Sequence, residues 1–331
     1  MIRSAVHSAY PRIGDFAWDQ QLRSIAEERD AGRATEEDVR RIEDEVATLV
    51  VAEQSRAFLD VVTDGLVRWS GPNSHFAARL EGVALGGLAR WFETGLFDRT
   101  PIVVGAVSRR EPIAVRDAHK AFEVRPKALK AVLPGAVTFA RAAKDRHYGK
   151  LETLAAALAG ALADEARDLA NVGVRILQLD EPVLCRHPED VDLVAESART
   201  IFAAAGDGAT TILSTYFGDL SALGVGGTSQ LPGTHLGLDM VHGPGNWPLL
   251  AELPSGRGVH LGLFDARTTR IETAQEVAER LVPYRASLMA RDVMVGPQCS
   301  LELIPRDEAF DKLLQARYLK EKLEREWSWR S

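Results

Sequence analysis

The sequence has few of the features that mark secreted, membrane or nucleic-acid-binding proteins. Two cysteines among 331 residues, Cys185 and Cys299, exclude a disulfide framework and predict a reducing, cytoplasmic environment. No run of 18 apolar residues occurs, and the first ten residues lack the apolar core and cleavage site of a signal peptide. Acidic residues outnumber basic ones by 47 to 40, and the net charge of −7 argues against a nucleic-acid partner. We therefore expect a protein with neither a membrane nor a nucleic acid as its partner.

Further absences limit the architecture. No Gly-rich phosphate turn follows a predicted strand, which disfavours a doubly wound nucleotide-binding sheet. The chain also has no Gly-, Ser- or Pro-rich linker and no short-period repeat. With 46% hydrophobic and 26% charged residues it can fill a large core. We expect residues 1–331 to form a single domain.

Short apolar strands alternate with longer helical segments, a pattern typical of βαβ units. Nine strands are predicted, over residues 5–10, 59–63, 102–106, 131–137, 174–179, 211–216, 235–241, 259–264 and 292–296. Helices are predicted over residues 36–58, 150–171, 190–205, 273–283 and 307–326, the first of them capped by Thr35. The pattern predicts a (β/α)₈ TIM barrel with an N-terminal helical extension over residues 14–58. Because a barrel has eight strand positions, one of the nine belongs to an accessory hairpin or is not a strand.

Ionisable side chains follow many of these strands, where a barrel places its active site. The site candidates on this basis are Arg12, Asp64, Asp180, Glu181, Tyr216, His235, Asp239, Asp265, Arg267 and Cys299. Adjacent carboxylates such as Asp180 and Glu181 can bind a substrate amino group or a heterocyclic N–H. Acidic residues beside Pro182 are equally typical of a helix start, so both interpretations stay open.

A zinc site is the second chemical candidate. His235 and Asp239 point to the same face of a predicted strand, and with Cys299 they could form a set of zinc ligands. No closely spaced His-x-Cys or Cys-x-x-Cys pair enforces such a site. Structural histidines, a capping aspartate and a buried cysteine are the competing interpretation.

A series of motifs resembles the cobalamin-independent methionine synthase family, in family order over residues 9–306. They are Tyr10-Pro-Arg-Ile-Gly, Val61-Val-Thr-Asp-Gly, Leu133-Pro-Gly-Ala-Val-Thr, Gln178-Leu-Asp-Glu-Pro, Ser214-Thr-Tyr-Phe-Gly, Leu236-Gly-Leu-Asp, Gly262-Leu-Phe-Asp-Ala-Arg and Pro297-Gln-Cys-Ser-Leu. The full-length family enzyme has two barrels, and the C-terminal barrel is catalytic. Its zinc, bound by a His-x-Cys pair, a Glu and a distant Cys, activates the homocysteine thiol to accept a methyl group from a methylated folate. The first and fifth motifs resemble the N-terminal, non-catalytic barrel.

The sequence departs from the catalytic pattern at several positions. The chain has Thr215-Tyr216-Phe217 where that barrel has its His-x-Cys pair, so two zinc ligands are absent. Cys299 matches the distant Cys, and Asp239 lies near the ligand Glu. Leu66 replaces a substrate-binding Glu, and Arg267 replaces a His. Zinc binding would thus require a rearranged site.

The resemblance implies roles for the candidate residues. It implies catalysis by Asp180, Glu181, Asp64 and Arg267, substrate binding by Arg12, Tyr216 and Asp265, and metal binding by Cys299, Asp239 and His235.

Three functions are consistent with the resemblance. The first is transfer of a methyl group from a methylated folate, or another donor, to the thiol of homocysteine, as a 5-methyltetrahydropteroyltriglutamate–homocysteine S-methyltransferase does. A separate zinc-bearing subunit could take part. The second is a related enzyme that acts on a different thiol or on an anionic substrate, which Arg267 would bind. The third is a non-catalytic partner barrel, with Trp327 and Trp329 near the chain end as candidate contacts.

Overall fold

The computed structural model describes residues 1–14, 16, 19–92, 94–327 and 329. Its main sheet consists of the strands β1 (Ile2–Ser4), β4 (Lys130–Pro134), β6 (Ile176–Asp180), β7 (Thr210–Ser214), β8 (His235–Asp239), β9 (Gly258–Phe264) and β10 (Val293–Pro297). All neighbouring pairs are parallel, in the order β1, β10, β9, β8, β7, β6, β4. The strands after β1 are almost wholly buried, as expected of a parallel sheet with both faces covered.

Residues 61–62 occupy the eighth strand position and close the sheet. Val61 pairs with Ala5 beyond the end of β1, and Val62 pairs with Leu129 before β4, both in parallel. The Val61 amide donates to the carbonyl of Ser4 at 3.0 Å, and the Lys130 amide donates to the carbonyl of Val62 at 2.8 Å. The predicted TIM barrel is therefore confirmed.

A second sheet stands outside the barrel. It contains β2 (Leu80–Arg90), β3 (Phe97–Arg109) and the short β5 (Lys144–Asp145). The antiparallel pair of β2 and β3 forms a long hairpin. The predicted strand at residues 102–106 is part of β3, so it is the one of the nine predicted strands that belongs to an accessory hairpin. The prediction missed β2, whose glycines at 82, 86 and 87 weaken the strand pattern.

Helices cover the outside of the barrel. Their bounds are α1 (Gln21–Asp30), α2 (Glu36–Arg56), α3 (Ser74–Ala77), α4 (Val115–Glu123), α5 (Ala136–Ala142), α6 (Leu151–Asn171), α7 (Val191–Ala204), α8 (Gly224–Gln230), α9 (Asn246–Glu252), α10 (Ala274–Leu281), α11 (Arg285–Met289) and α12 (Arg306–Trp327). The predicted cap of α2 is confirmed, because Thr35 and Asp38 exchange side-chain and backbone hydrogen bonds. Within the described residues, no helix is long and apolar enough to cross a membrane.

Some of the extension predicted over residues 14–58 corresponds to α1 and α2, and residues 15, 17 and 18 of that range lie outside the described residues. At the other end of the chain, α12 packs against β1 and β10. Trp327 and Trp329 are buried, and their rings stack with centroids 5.7 Å apart. These tryptophans therefore lie against the body of the protein rather than on its surface.

Candidate functional site

A cavity of about 200 Å³ opens at the carboxyl ends of the barrel strands. Its polar lining includes Asp180, which ends β6, together with Tyr216 and Cys299 from the segments after β7 and β10. Its apolar lining comes from the loop after residues 61–62, the β2–β3 hairpin and the segment after β7. These residues are Leu66, Trp69, Trp91, Leu96, Phe97 and Phe217. The hairpin thus covers one side of the barrel mouth with aromatic side chains.

Asp180 presents a carboxylate to the cavity, whose lining also includes Glu302. Its Oδ1 accepts a hydrogen bond from Gln178 Nε2 at 2.8 Å, and its Oδ2 accepts one from the Tyr216 hydroxyl at 3.3 Å. Burial raises the pKa of Asp180 to about 7, although these hydrogen bonds and the positive charge of Lys130 favour the ionised form. The arrangement suits a ligand that brings a positive charge to Asp180.

Glu181 does not line the cavity. Its carboxylate accepts hydrogen bonds from the backbone amides of Val137 and Thr138 at 3.0 and 2.9 Å, and from the Thr138 hydroxyl at 2.7 Å. It therefore binds the free amides in the first turn of α5. Gly135 is required beside it, since a Cβ at that position would lie 2.0 Å from the Glu181 Cδ. The structure gives Glu181 a structural contact with the start of α5, whereas the sequence suggests the start of a helix at Pro182, where the Glu181 side chain forms no cap hydrogen bond.

The proposed metal ligands do not come together. His235 begins β8 and Asp239 ends it, so the two lie at opposite ends of the barrel even though they share a strand. The His235 ring contacts Asp292, which precedes β10, at 3.2 Å. The expected grouping of His235 with Cys299 is therefore wrong, because strand periodicity fixes the face of a residue but not its depth along the barrel.

Asp239 is also poorly placed to bind a metal. Its Oδ2 accepts from the Phe217 amide at 3.0 Å, and its Oδ1 accepts from the amides of Val241 and His242 at 2.9 and 2.7 Å. These bonds hold the loops after β7 and β8 together. Burial, with the negative charge of Asp239 as a further cause, raises the pKa of the Cys299 thiol well above its usual value. Among the described residues no group of three or more His, Cys, Asp or Glu could hold a metal ion, so they do not fit a resident zinc.

Asp64 lies beside the cavity rather than in it. It lines a small neighbouring space together with Leu66, Trp69 and Lys130. Burial, with the charge of Asp117 as a second cause, raises the pKa of Asp64 to about 7. Asp64 is therefore two residues from Leu66, which lines the cavity, but is not part of that lining.

The two arginines and Asp265 are found at the mouth. Arg12 lines the cavity, but its Nη1 donates to the backbone carbonyls of Val67 and Trp69. Arg267 is exposed, and its guanidinium lies 5.8 Å from the centre of the Phe217 ring. Asp265 accepts hydrogen bonds from the Arg267 amide at 2.9 Å and from Gln298 Nε2 at 3.2 Å. Of these three residues, the cavity lining includes Arg12 alone.

Sequence reasoning missed two polar residues in the loop after residues 61–62. Asn73 lines the cavity and is 1% exposed, yet within the described residues its amide oxygen and nitrogen have no hydrogen-bond partner. The same holds for the indole nitrogen of Trp69. Buried polar atoms normally have partners, so this loop offers unused donors and an acceptor to a bound molecule. A loop of Ser, Gly, Pro and Asn carries no sequence signal for that role.

Two residues of the lining have left-handed backbone conformations. Leu66 has φ of 51° and Phe217 has φ of 64°, and both are residues for which this conformation is unfavourable. Both stand at positions where the sequence departs from the family pattern. Strain of this kind concentrates at ligand sites, which supports the assignment of the cavity as the functional site.

Comparison with known protein families gives a match to one family model. The model of the catalytic domain of cobalamin-independent synthase matches residues 9–204 and 244–321. The segment between these ranges contains Tyr216, Phe217 and Asp239. The part of the chain that would carry the missing zinc ligands is therefore also the part outside the match.

Individual proteins resemble the chain over nearly its whole length. The methionine synthases of Sulfurisphaera tokodaii and Sulfolobus acidocaldarius are 28% and 26% identical to it, and each alignment covers 91% of this chain and 88% of the relative. A B12-independent methionine synthase from Shewanella sp. W3-18-1, solved in complex with selenomethionine, shares the fold with a TM-score of 0.81. It is 22% identical, and the match covers 98% of both chains.

Proposed function

The chain belongs to the cobalamin-independent methionine synthase family, and on this basis we propose that it transfers a methyl group to the thiol of homocysteine, forming methionine. A methylated folate, or another methyl donor, would be the second substrate. The methionine synthases of Sulfurisphaera tokodaii and Sulfolobus acidocaldarius align with 91% of this chain and with 88% of their own length, which supports this proposal.

The observation that carries the proposal is the carboxylate of Asp180 at the cavity. An amino acid substrate has an ammonium group, and a mostly buried carboxylate is the partner such a group requires. The aromatic lining beside it suits the apolar chain of a sulfur-containing amino acid. The Shewanella protein was solved with an amino acid of this kind, selenomethionine.

Activation of the thiol needs a separate explanation, because the described residues do not assemble a zinc site. We propose that this chain binds and positions the substrates, and that a separate zinc-bearing subunit supplies the activated thiol. Tyr216 and Cys299 lie in the cavity lining with Asp180, so the sulfur end of the substrate would meet this part of the wall.

The test is production of methionine from homocysteine and 5-methyltetrahydrofolate, measured with the purified chain alone and after adding a zinc-bearing methionine synthase barrel. We expect the mixture to form methionine at least tenfold faster than the zinc-bearing barrel does alone, about the gain of one well-placed contact. Asp180→Asn should lower kcat/KM about 100-fold, equivalent to about 3 kcal/mol for a charged hydrogen-bonded contact. Asp292→Asn is the matched control, because Asp292 precedes β10 at the opposite end of the barrel from the cavity, and it should retain activity. No methionine under either condition would refute the proposal.

A second candidate is a related enzyme that acts on a different thiol or on an anionic substrate. It is favoured by Leu66 and Phe217, apolar residues at positions that bind substrate or zinc in the catalytic pattern. The exposed guanidinium of Arg267 above Phe217 could bind an anionic group. An Arg267→Ala variant that binds thiol carboxylates as well as the wild type would exclude this role for the arginine.

A further inference from the structure

Lys130 is a buried cation inside the barrel, beneath the cavity. It begins β4, and its side chain is 0% exposed. Its Nζ donates to the carbonyl of Val6 at 2.8 Å and to Oε1 of Gln178 at 2.5 Å. Both acceptors are neutral, and within the described residues Lys130 forms no direct ion pair. A buried ammonium in such surroundings needs a negative charge nearby.

Gln178 connects Lys130 to the carboxylate of the cavity. Gln178 and Asp180 are two residues apart on β6, so their side chains share one face. Since the oxygen of the Gln178 amide accepts from Lys130, its NH₂ group is directed towards Asp180, and Nε2 lies 2.8 Å from Oδ1. The ammonium thereby fixes which end of the amide faces the carboxylate.

The cavity lining beside Asp180 also contains the charged residues Arg12 and Glu302. Among the described residues, neither forms a hydrogen bond or an ion pair with Asp180 or Lys130, and the Arg12 guanidinium donates to backbone carbonyls.

His7 and His260 lie near Lys130, and burial keeps the pKa of both imidazoles well below the usual value. Glu181, which follows Asp180, is turned towards α5. The Tyr216 hydroxyl donates to Asp180 but remains neutral, because burial raises its pKa well above the usual value.

The charges of Lys130 and Asp180 support one another. Burial lowers the pKa of Lys130 to about 7, and the negative charge of Asp180 opposes that change. Burial raises the pKa of Asp180 to about 7, and the charge of Lys130 opposes that change in turn. Each charge therefore favours the ionised form of the other group.

We propose that Lys130 is a positioning residue of this cavity, which acts through Gln178 to keep the Asp180 carboxylate ionised and oriented for the ammonium group of an amino acid ligand. The inference rests on the proposed function only for the nature of that ligand. The connection from Lys130 through Gln178 to Asp180 stands on the contacts alone.

The test uses Lys130→Met, with L-methionine as the probe, titrated by calorimetry between pH 5 and pH 8.5. Binding of an ammonium group requires ionised Asp180, so affinity rises with pH through the Asp180 titration. Removal of the neighbouring cation raises the pKa of that carboxyl, and we expect the midpoint to move up by about one pH unit. At pH values below the midpoints of both proteins, Lys130→Met would bind L-methionine about tenfold more weakly than the wild type. At high pH its affinity would recover. An equal loss of affinity at every pH would contradict the proposal.

Lys312→Met provides the matched control, because Lys312 is also 0% exposed but contacts Glu272 and the carbonyl of Arg270 away from the cavity. Its midpoint should equal that of the wild type. If Lys130→Met does not fold, Gln178→Met keeps the ammonium but removes the connection. Gln178→Met should therefore also raise the pH midpoint of L-methionine binding.

A ligand-free measurement separates this inference from the proposed function. The ¹³C-carboxyl resonance of Asp180, assigned by its absence in Asp180→Asn, is followed against pH in wild type and Lys130→Met. A higher midpoint in the variant supports the inference even if L-methionine does not bind, an outcome that would count against the proposed function alone. An unchanged midpoint overturns the inference, whether or not L-methionine binds.

Discussion

Buried asparagine side chains of this protein differ in whether their polar atoms already have hydrogen-bond partners. The amide of Asn73 has no partner among the described residues, whereas Asn246, equally buried, donates to the Asp239 carbonyl at 2.8 Å and accepts from the Leu220 amide at 3.1 Å. Replacing an unsatisfied buried amide by an apolar group of similar shape removes an existing cost. We expect Asn73→Leu to leave the free energy of unfolding unchanged or raise it by about 1 kcal/mol.

The same substitution at Asn246 should destabilise the protein by about 2 kcal/mol, because it leaves two buried backbone groups unpaired. Chemical denaturation of both variants measures the difference. Asn73→Leu should also weaken L-methionine binding about tenfold, the loss expected for one hydrogen bond in a buried site. Destabilisation of Asn73→Leu to the extent of Asn246→Leu would show that the Asn73 amide has a structural partner.

The positions of some site residues could be predicted from the sequence, and those of others could not. Asp180, Tyr216 and Cys299 were found because a barrel brings the segments after its strands to one end, and all three line the cavity. His235 was placed with them wrongly, since four residues along a strand span about 13 Å. Asn73 and Trp69 were missed because their candidate role depends on side-chain atoms that have no hydrogen-bond partner among the described residues. A sequence does not reveal which atoms lack a partner.

At the scale of elements, one carboxylate connects two strands to a helix. Glu181 follows β6 and accepts three hydrogen bonds from the start of α5, which itself follows β4. Glu181→Ala would leave two backbone amides and a hydroxyl unpaired in a fully buried place. We expect it to lower the free energy of unfolding by about 3 kcal/mol, within the range for a buried hydrogen-bond network.

Thermal unfolding with circular dichroism measures this loss. Glu152→Ala is the control, because Glu152 lies in the first turn of α6 but is exposed, and its change should be within about 0.5 kcal/mol. If Glu181→Gln kept the melting temperature of the wild type but abolished methyl transfer, Glu181 would be a catalytic residue as the family resemblance implies.

The strand pattern could predict the elements but not all of their partners. Apolar runs identified segments that overlap β4, β6, β7, β8, β9 and β10, since a strand covered on both faces is continuously apolar. Residues 102–106 form a similarly apolar run, yet they pair with β2 outside the barrel. A run of apolar residues shows that a strand is buried or paired, and its partner depends on the rest of the chain.

At the scale of the whole molecule, the barrel supplies a common scaffold and its loops determine the chemistry. The fold matches a B12-independent methionine synthase over 98% of the chain, but the segment between residues 204 and 244 lies outside the family match. This segment contains β7, α8 and β8. The loops that follow β7 and β8 are held together by Asp239, which accepts from their backbone amides. Similarity of the fold therefore leaves the chemistry of the site to be decided by these residues.

The last prediction concerns the dependence of the whole protein on metal. Asp239 uses both carboxylate oxygens to accept backbone hydrogen bonds, and His235 is at the far end of the barrel from Cys299. We expect protein purified without chelators or metal-affinity tags to contain well below one zinc per chain, by mass spectrometry of the metal. Because a structural zinc would contribute to folding, its absence predicts that EDTA leaves the melting temperature unchanged.

Cys299→Ala should likewise leave the metal content at the wild-type level. About one zinc per chain, lost in Cys299→Ala, would instead mean that the loops after β7 and β8 rearrange to form a metal site, and that the chain activates the thiol without a second subunit.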